Sequence, residues 1–418
     1  LPIDAGDAMP LIPTMTRPTL LGESAPEHDY QWSLNFGPQH PATHTTLRIV
    51  LKLDGEIVRE AIPDIGYLHS GFEKIGEHLD YNQYVTVTDR MNYISPLANN
   101  VAWHCAVEKL LGLELPKRAQ YIRTIICELA RISDHLLCNG AVALDTGAFT
   151  TFLYAFYQRE VLYDIFETLC GARFTTSYTR VGGLMYDITP LVIEKIRTFV
   201  KTFPKTIDDV ERMLNHNRIF VERSKGIGVL TKAEALSRSC TGPVARASGV
   251  ARDLRKDEPY LAYKDFDFKV CCATAGDCFA RYLVRQAELR ESLKINSQAL
   301  ENLPAGPYSV NIGERTALPD KKQVYQTIEG LISHFELSMS NRGFEVPNEE
   351  VYSAIEAPNG ELGFYIVGDG SDTAYRARCR PPSFIHFATF PHLIQGHTLS
   401  DVVAVLGSLN IIAAELDR

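Results

Sequence analysis

Two histidines four positions apart, His40 and His44, lie in the run Gly37-Pro38-Gln39-His40-Pro41-Ala42-Thr43-His44. An imidazole pair can bind a metal or move a proton near neutral pH. Histidine ligands at this spacing normally share a helix face, and the prolines at 38 and 41 argue against a helix here. Hydrogen bonding or proton shuttling is therefore favoured over metal ligation, with simple loop packing as the plainer alternative. A second cluster, Thr88-Asp89-Arg90-Met91-Asn92-Tyr93, sets a phenol beside an Asp/Arg pair. A phenol with a pKa of about 10 gives up its proton poorly at neutral pH without help, so taken alone Tyr93 reads better as a half-buried packing residue. In Leu144-Asp145-Thr146-Gly147-Ala148 a single carboxylate stands at a break between apolar segments, where Asp most often caps the following helix.

The nine cysteines contain no C-x-x-C pair, which disfavours structural zinc and a self-contained iron-sulfur cluster. Five of them fall in apolar helix-like segments, where a reduced thiol is usually a small core residue. No G-x-G-x-x-G follows a strand, and neither a Walker A run nor a G-x-S-x-G elbow is present, so dinucleotide binding and serine hydrolysis have no local support. Arg376, Arg378 and Arg380 alternate on one strand face, read as a solvated edge or a subunit contact.

These residues need elements to hold them. Leu47, Ile49, Leu51 and Leu53 alternate with polar neighbours up to Asp54-Gly55, which predicts a β-hairpin continuing through Ile57 and Val58. After Tyr93 the apolar period changes to three and four: Ile122, Ile125, Ile126, Leu129, Ile132 and Leu136, then Phe152, Phe156, Leu162, Ile165 and Leu169. Long helices in a bundle follow. Further helices are expected over 190–214, bent or ended by Pro204, and over 281–300. Residues 226–264, rich in Gly and Arg, read as a long loop. The last part returns to mixed structure, with a helix at 331–337, strands at 364–367 and 375–380, and an amphipathic segment at 401–409. The fold class is thus α+β: an extended proline-rich arm over 1–33, a β region carrying the His loop over 34–75, a helical core over 76–330 and a C-terminal α/β region over 331–418.

The chain has 418 residues, is 45% hydrophobic and 22% charged, and carries a formal charge of −9, which together indicate a folded chain without the basic block that nucleic acid would need. No stretch approaches the roughly 18 apolar residues of a membrane span, so a membrane role would come through docking. The prolines at 2, 10, 13, 18 and 26 and a start at Leu1 fit a processed mitochondrial protein, with a bacterial origin as the alternative.

Taken together, Asn35-Phe36-Gly37-Pro38-Gln39-His40-Pro41-Ala42-Thr43-His44, Gly66-Tyr67-Leu68-His69-Ser70-Gly71-Phe72-Glu73-Lys74, Asp89-Arg90-Met91-Asn92-Tyr93, Gly171-Ala172-Arg173, Arg180-Val181-Gly182-Gly183, Thr241-Gly242-Pro243 and the closing Glu415-Leu416-Asp417-Arg418 closely resemble the 49-kDa-type quinone-binding core subunit of respiratory complex I, the proton-translocating NADH:ubiquinone oxidoreductase. The resemblance spans about residues 33 to 418. That family is similar to nickel-iron hydrogenase large subunits, which hold their metals with two C-x-x-C pairs. Here the matching places read Arg90-Met91-Asn92-Tyr93-Ile94-Ser95 and Ser408-Leu409-Asn410-Ile411-Ile412, so a hydrogenase-like fold with its metal site lost is implied.

The resemblance also implies roles. His44 and Tyr93 match the pair that hydrogen-bonds the quinone carbonyls, and Asp145 matches the carboxylate partnering the histidine, with His40, Arg90 and Phe152 as neighbours of the quinone site. Loss of protons from the pair would leave Asp145 as an unpaired charge that starts a signal toward the membrane pumps. Ser70 and Thr175 stand where many members have Arg and His near the terminal iron-sulfur cluster of the adjacent subunit, which puts pH-linked tuning of that cluster in doubt. The chain should bind no cofactor itself; the [4Fe-4S] cluster, FMN and NADH belong to partners, and ubiquinone is the substrate. Implied partners are the cluster-bearing neighbour, the 30-kDa-type subunit and the membrane-arm subunits, on the matrix side of the mitochondrial inner membrane. A non-catalytic scaffold subunit of a hydrogenase-like membrane complex is the alternative.

Overall fold

Asp54 and Gly55 sit where a tight turn is needed, with Gly55 at φ +60°, and the alternation on either side of them becomes a sheet. The computed structural model describes residues 31–43, 45–310, 318–319, 321–339 and 344–418. His44 and residues 1–30, read above as most of an extended arm, lie outside the described residues. The sheet has three antiparallel strands, β1 (Gln31–Phe36), β2 (Arg48–Asp54) and β3 (Ile57–Asp64), in that order. The expected hairpin is β2–β3; β1 is an added strand that the sequence pattern did not announce. Ile49, Leu51 and Leu53 face inward, each at most 1% exposed, as a period of two requires.

Short helices α1 (Phe72–Ile75) and α2 (Val85–Met91) lead into the bundle of α3 (Pro96–Leu111), α4 (Lys117–Asp145) and α5 (Phe149–Cys170). A small hairpin of β4 (Thr179–Arg180) and β5 (Gly183–Leu184) precedes α6 (Pro190–Leu214). Pro204 does not end this last helix. It forfeits one backbone bond, while Phe199, Phe203 and Ile207 on the same face are buried and keep the helix continuous.

The expected long loop over 226–264 is a correction. After α7 (Arg218–Glu222) it carries α8 (Lys232–Ser237), α9 (Gly242–Ala247) and α10 (Leu254–Asp257), because Thr231 closes a capping box with Glu234 and Asp253 caps Arg255. The bundle closes with α11 (Cys278–Glu301), capped by Asp277. Then come α12 (Lys321–Gln326), α13 (Ile328–Ser338) and a second antiparallel sheet of β6 (Glu350–Ala357), β7 (Gly360–Val367) and β8 (Arg376–Arg380). On edge strand β8, Arg376 pairs with Glu77 at 2.7 Å and Arg380 donates to the Glu361 carbonyl at 2.6 Å, so two of the three arginines are internal pins. Last are α14 (Pro382–Ile394), α15 (Asp401–Leu409) and α16 (Ala413–Asp417). No helix among the described residues is long and apolar enough to cross a membrane.

The main core joins the bundle to β6–β8. A second core packs the N-terminal sheet against α14, α15 and α16, so the first and last described elements share one hydrophobic cluster. Inside the bundle lies a polar seam. Glu128 of α4 accepts from Arg255 (3.2 Å), the Tyr263 hydroxyl (2.7 Å) and the Ser292 hydroxyl (2.6 Å). Glu288 of α11 accepts from Arg246 at 2.9 Å and contacts His135 at 2.8 Å, and Arg246 also donates to Glu356 at 2.6 Å. All of these are buried, and they tie α4, α9, α10, α11 and β6 together.

Candidate functional site

Because the N-terminal sheet packs against the C-terminal helices, four segments converge: the loop between β1 and β2, the stretch after α2, the C-terminal end of α4 and the residues closing α15. Between them lies a cavity of about 110 Å³ whose lining includes Ala42, Tyr93, Cys138, Asp145, Gly407 and Asn410.

The loop is held by its own chemistry. Gly37 sits at φ +87°, and a Cβ there would come within 2.1 Å of the Leu47 carbonyl oxygen, so only glycine allows this close approach. The Thr43 hydroxyl donates to the carbonyls of Pro38 (3.1 Å) and His40 (2.9 Å). A short 3-10 turn forms at Pro41–Thr43 despite the prolines, since Pro at a first helical position gives up a donor that would be unpaired anyway. His40 is engaged within the loop: its Nδ1 accepts from the Ala42 N–H at 3.1 Å and its ring lies 4.2 Å from Phe36.

Tyr93 follows the end of α2, half-buried, with its ring 5.9 Å from Phe174. Burial pushes its pKa up, so it is a neutral donor. Asp145 is not the helix cap expected of it. It is the last residue of α4, and α5 starts from Ala148 without a side-chain cap. The residue has exposed surface, yet its Oδ2 lies 3.6 Å from where a Cβ on Gly407 would stand, against the apolar wall of the cavity. That burial raises its pKa to about 6.

The other anticipated residues are not in the lining of this cavity. Arg90 is exposed on the last turn of α2. Its neighbour Asp89 is raised to about 6, by burial against the opposing charge of Arg90. Phe152 is on α5, its ring 4.0 Å from Phe156 and its Cα 3.7 Å from the place of a Cβ on Gly140. Ser70 is exposed and its hydroxyl donates to the Leu68 carbonyl at 3.4 Å. This segment is fixed to the chain end, for Asp417 accepts from the N–H groups of Gly66 (3.0 Å) and Leu68 (2.7 Å). Thr175 is half-buried one residue after Phe174, so it flanks the Tyr93 side of the site.

Two groups at the site escape a reading of the sequence. Asn410, which there marks only a place where a cysteine pair is missing, lines the cavity and donates to Asp134 Oδ1 at 2.6 Å. Asp134 sits inside α4 at 0% exposure, between the apolar positions Ile132 and Leu136. The signal that could have found it is the density of charge in that helix: Arg123, Glu128, Arg131, Asp134 and His135 are too many for one solvated face. Among the described residues, no three His, Cys, Asp or Glu side chains are grouped as metal ligands would be.

Comparison with known proteins gives one answer. The profile of the family described as "Respiratory-chain NADH dehydrogenase, 49 Kd subunit" matches residues 145–418. The chain is 51% identical over 385 residues to the D-type NADH-quinone oxidoreductase subunit of Methylacidiphilum infernorum, covering 92% of this chain and 91% of that protein. It is 49% identical to a D-type subunit of the same enzyme from Sinorhizobium medicae, covering 92% and 95%, and 46% identical to one from Cytophaga hutchinsonii, covering 94% and 100%. The chain therefore belongs to the 49 kDa subunit family of the respiratory-chain NADH dehydrogenase, and it is a core subunit of an NADH-quinone oxidoreductase complex.

Proposed function

We propose that the cavity bounded by Tyr93, Asp145 and the His44 loop is the wall at which the complex reduces the quinone headgroup. The observation that carries this is the meeting of Tyr93, Asp145 and two loop residues, Ala42 and Leu47, in one largely apolar cavity although they lie far apart in sequence. Quinone takes two electrons and two protons to become quinol. The electrons come from the [4Fe-4S] cluster of the neighbouring subunit, with NADH and FMN further upstream on other partners. His44 and Tyr93 hydrogen-bond the two carbonyls. A phenol whose pKa burial holds high keeps its proton until an oxyanion develops, when the hydrogen bond strengthens most. Asp145, near 6, is charged at neutral pH but close enough to it to gain a proton as its neighbours change state. His40, Arg90 and Phe152 border the approach.

The hydrogenase-like reading gives the cavity its origin: Ser408–Ile412, where a metal-binding pair would fall, supplies part of its wall without a cysteine. The chain docks as a peripheral part of the complex beside the cluster-bearing, 30-kDa-type and membrane-arm subunits. It would sit on the matrix face of the mitochondrial inner membrane, as the resemblance implies, or on the cytoplasmic face of a bacterial membrane, as the origin of the relatives named above suggests. A short-tailed photoreactive quinone applied to the assembled complex tests the site. Label in 37–47 or 406–412 is the expected result; label confined to other subunits would favour the scaffold role instead.

A further inference from the structure

An amphipathic helix of a folded chain normally turns its large apolar residues inward. α13 does the reverse. Ile328, Leu331, Ile332 and Phe335 recur at three and four and fall within an arc of about 100° around the helix axis. All four are between 43% and 73% exposed, while the residues that α13 buries are Gly330 and Ser333. Its inward side is thinly packed. Gly330 lies so close to α12 that a Cβ there would come within 2.5 Å of the Gln323 carbonyl oxygen. Next to it, His334, Leu337 and Ser338 line a cavity of about 370 Å³ shared with Arg180 and Leu184 of the β4–β5 hairpin. A helix of 11 residues is marginal in water unless it buries an apolar face. The side chains that could hold α13 in place point away from the chain that carries it.

The charges beside the stripe bear on what covers it. Glu329 and Glu336 are seven residues apart, about 10 Å along the helix, and follow one edge of the stripe. α13 contains no Lys or Arg, and neither carboxylate forms an ion pair within the described residues. A membrane surface is a poor match, because helices that lie on bilayers carry basic residues and anionic lipid repels acidic ones. A second copy of this chain is a poor match too. Two-fold pairing would set the helix against itself, with no Lys or Arg on either copy to answer the carboxylates. The surface that fits is apolar with cations at its rim.

We propose that the outer face of α13, with Ile328, Leu331, Ile332 and Phe335 as its centre and Glu329 and Glu336 along its edge, docks into an apolar groove rimmed by Lys or Arg on another subunit of the NADH-quinone oxidoreductase complex. The inference rests on membership of that complex and not on the reading of the cavity beside Tyr93, so the two stand or fall separately. The stripe supplies the desolvated centre of the contact, and the two carboxylates fix where along the groove the helix sits.

The test uses the assembled complex in its membrane, with Phe335 replaced by a photoreactive phenylalanine. The expected adduct joins α13 to a peptide of another subunit that carries Lys or Arg close to the labelled residue. An adduct to lipid, to a second copy of this chain or to this chain alone overturns the proposal, as does the absence of any adduct in the assembled complex. Two double variants separate the parts of the claim. Ile332→Glu with Phe335→Glu should lower the recovery of the chain in the complex by about tenfold, the worth of one interface anchor, while the melting temperature of the free chain is unchanged. A free chain that melts lower in step would show that its own residues cover the stripe, and normal recovery would show that nothing docks there; either rejects the proposal. Glu329→Lys with Glu336→Lys should lower recovery by about fivefold at low ionic strength and less at high, since salt screens the repulsion that replaces an attraction. Recovery unaltered by that exchange at every ionic strength rejects the basic rim, and with it the proposed partner.

Discussion

The polar seam inside the bundle and the cavity at its end both draw on α4, and they treat carboxylates in opposite ways. In the seam, burial alone would raise Glu288, but Arg246 and His135 overcome it and hold it well below the usual carboxylate range; Glu128 and Asp253 are likewise held low by Arg131, Arg246 and Arg255. Glu356, sharing Arg246 with two other acids, is the exception in which burial wins. At the cavity, Asp134 and Asp145 form no ion pair within the described residues, and burial raises both. A carboxylate held low keeps one charge across the physiological range and can serve only structure. One left unpaired is held above the usual carboxylate range, and Asp145, near 6, is close enough to neutral pH to answer to chemistry next to it.

The largest test of this contrast is in the seam. Arg246→Met would leave Glu288, Glu356 and Asp253 short of a counter-charge in a fully buried place, and breaking such an arrangement costs about 3–5 kcal/mol. Little assembled complex should accumulate, as native gels would show. A variant assembling with normal heat resistance would mean that the seam is not structural.

Next in size is Tyr93→Phe, which keeps the ring and removes the hydroxyl. Losing a hydrogen bond to a forming oxyanion costs on the order of 3 kcal/mol, or roughly a hundredfold in rate. Quinone reduction should fall by that order, most for short-tailed quinones that depend on headgroup contacts, while NADH oxidation by artificial acceptors persists. A normal rate would leave Tyr93 as packing.

Asp145→Asn should act in the other direction on stability. Its carboxyl titrates near 6 in the folded chain against 3.8 for the free side chain, so the folded state binds the proton more tightly and the wild type loses stability as pH rises between those values. The Asn variant lacks this loss. Its melting temperature should gain on the wild type from about pH 4 to about pH 6 and hold a constant margin above that. A margin independent of pH would show that Asp145 is solvated rather than held against the wall.

The smallest effect concerns the iron-sulfur cluster that the proposed function assigns to a partner subunit. Thr175 cannot titrate and Ser70 carries no charge, so the cluster's potential should be nearly flat from about pH 6 to 8, where an unperturbed imidazole titrates. Redox titration followed by electron paramagnetic resonance would read it, and Thr175→His should restore a slope. A wild-type slope near the one-proton value of about 59 mV per pH unit would mean that another group has taken over.

Sequence by itself determined the elements whose signals are local. The period of two around Asp54-Gly55 became β2 and β3, and the apolar spacing from Ile122 to Leu169 became α4 and α5. The ordered motifs likewise carried the family, since each is a short run readable in place. Tertiary structure decided what depends on partners distant in the chain. Pro204 is tolerated because buried phenylalanines hold the helix around it, and the 226–264 segment folds into helices whose buried Arg246 and Arg255 have acidic partners as far away as Glu128 and Glu356. Asp145 had the composition of a helix cap and became a cavity carboxylate only because α15 brings Gly407 against it. Asp134 and Asn410 are 276 positions apart, and no local pattern can report a hydrogen bond over that separation. The geometry of this site comes from the meeting of the N-terminal sheet and the C-terminal helices, and that meeting is fixed by their shared hydrophobic burial.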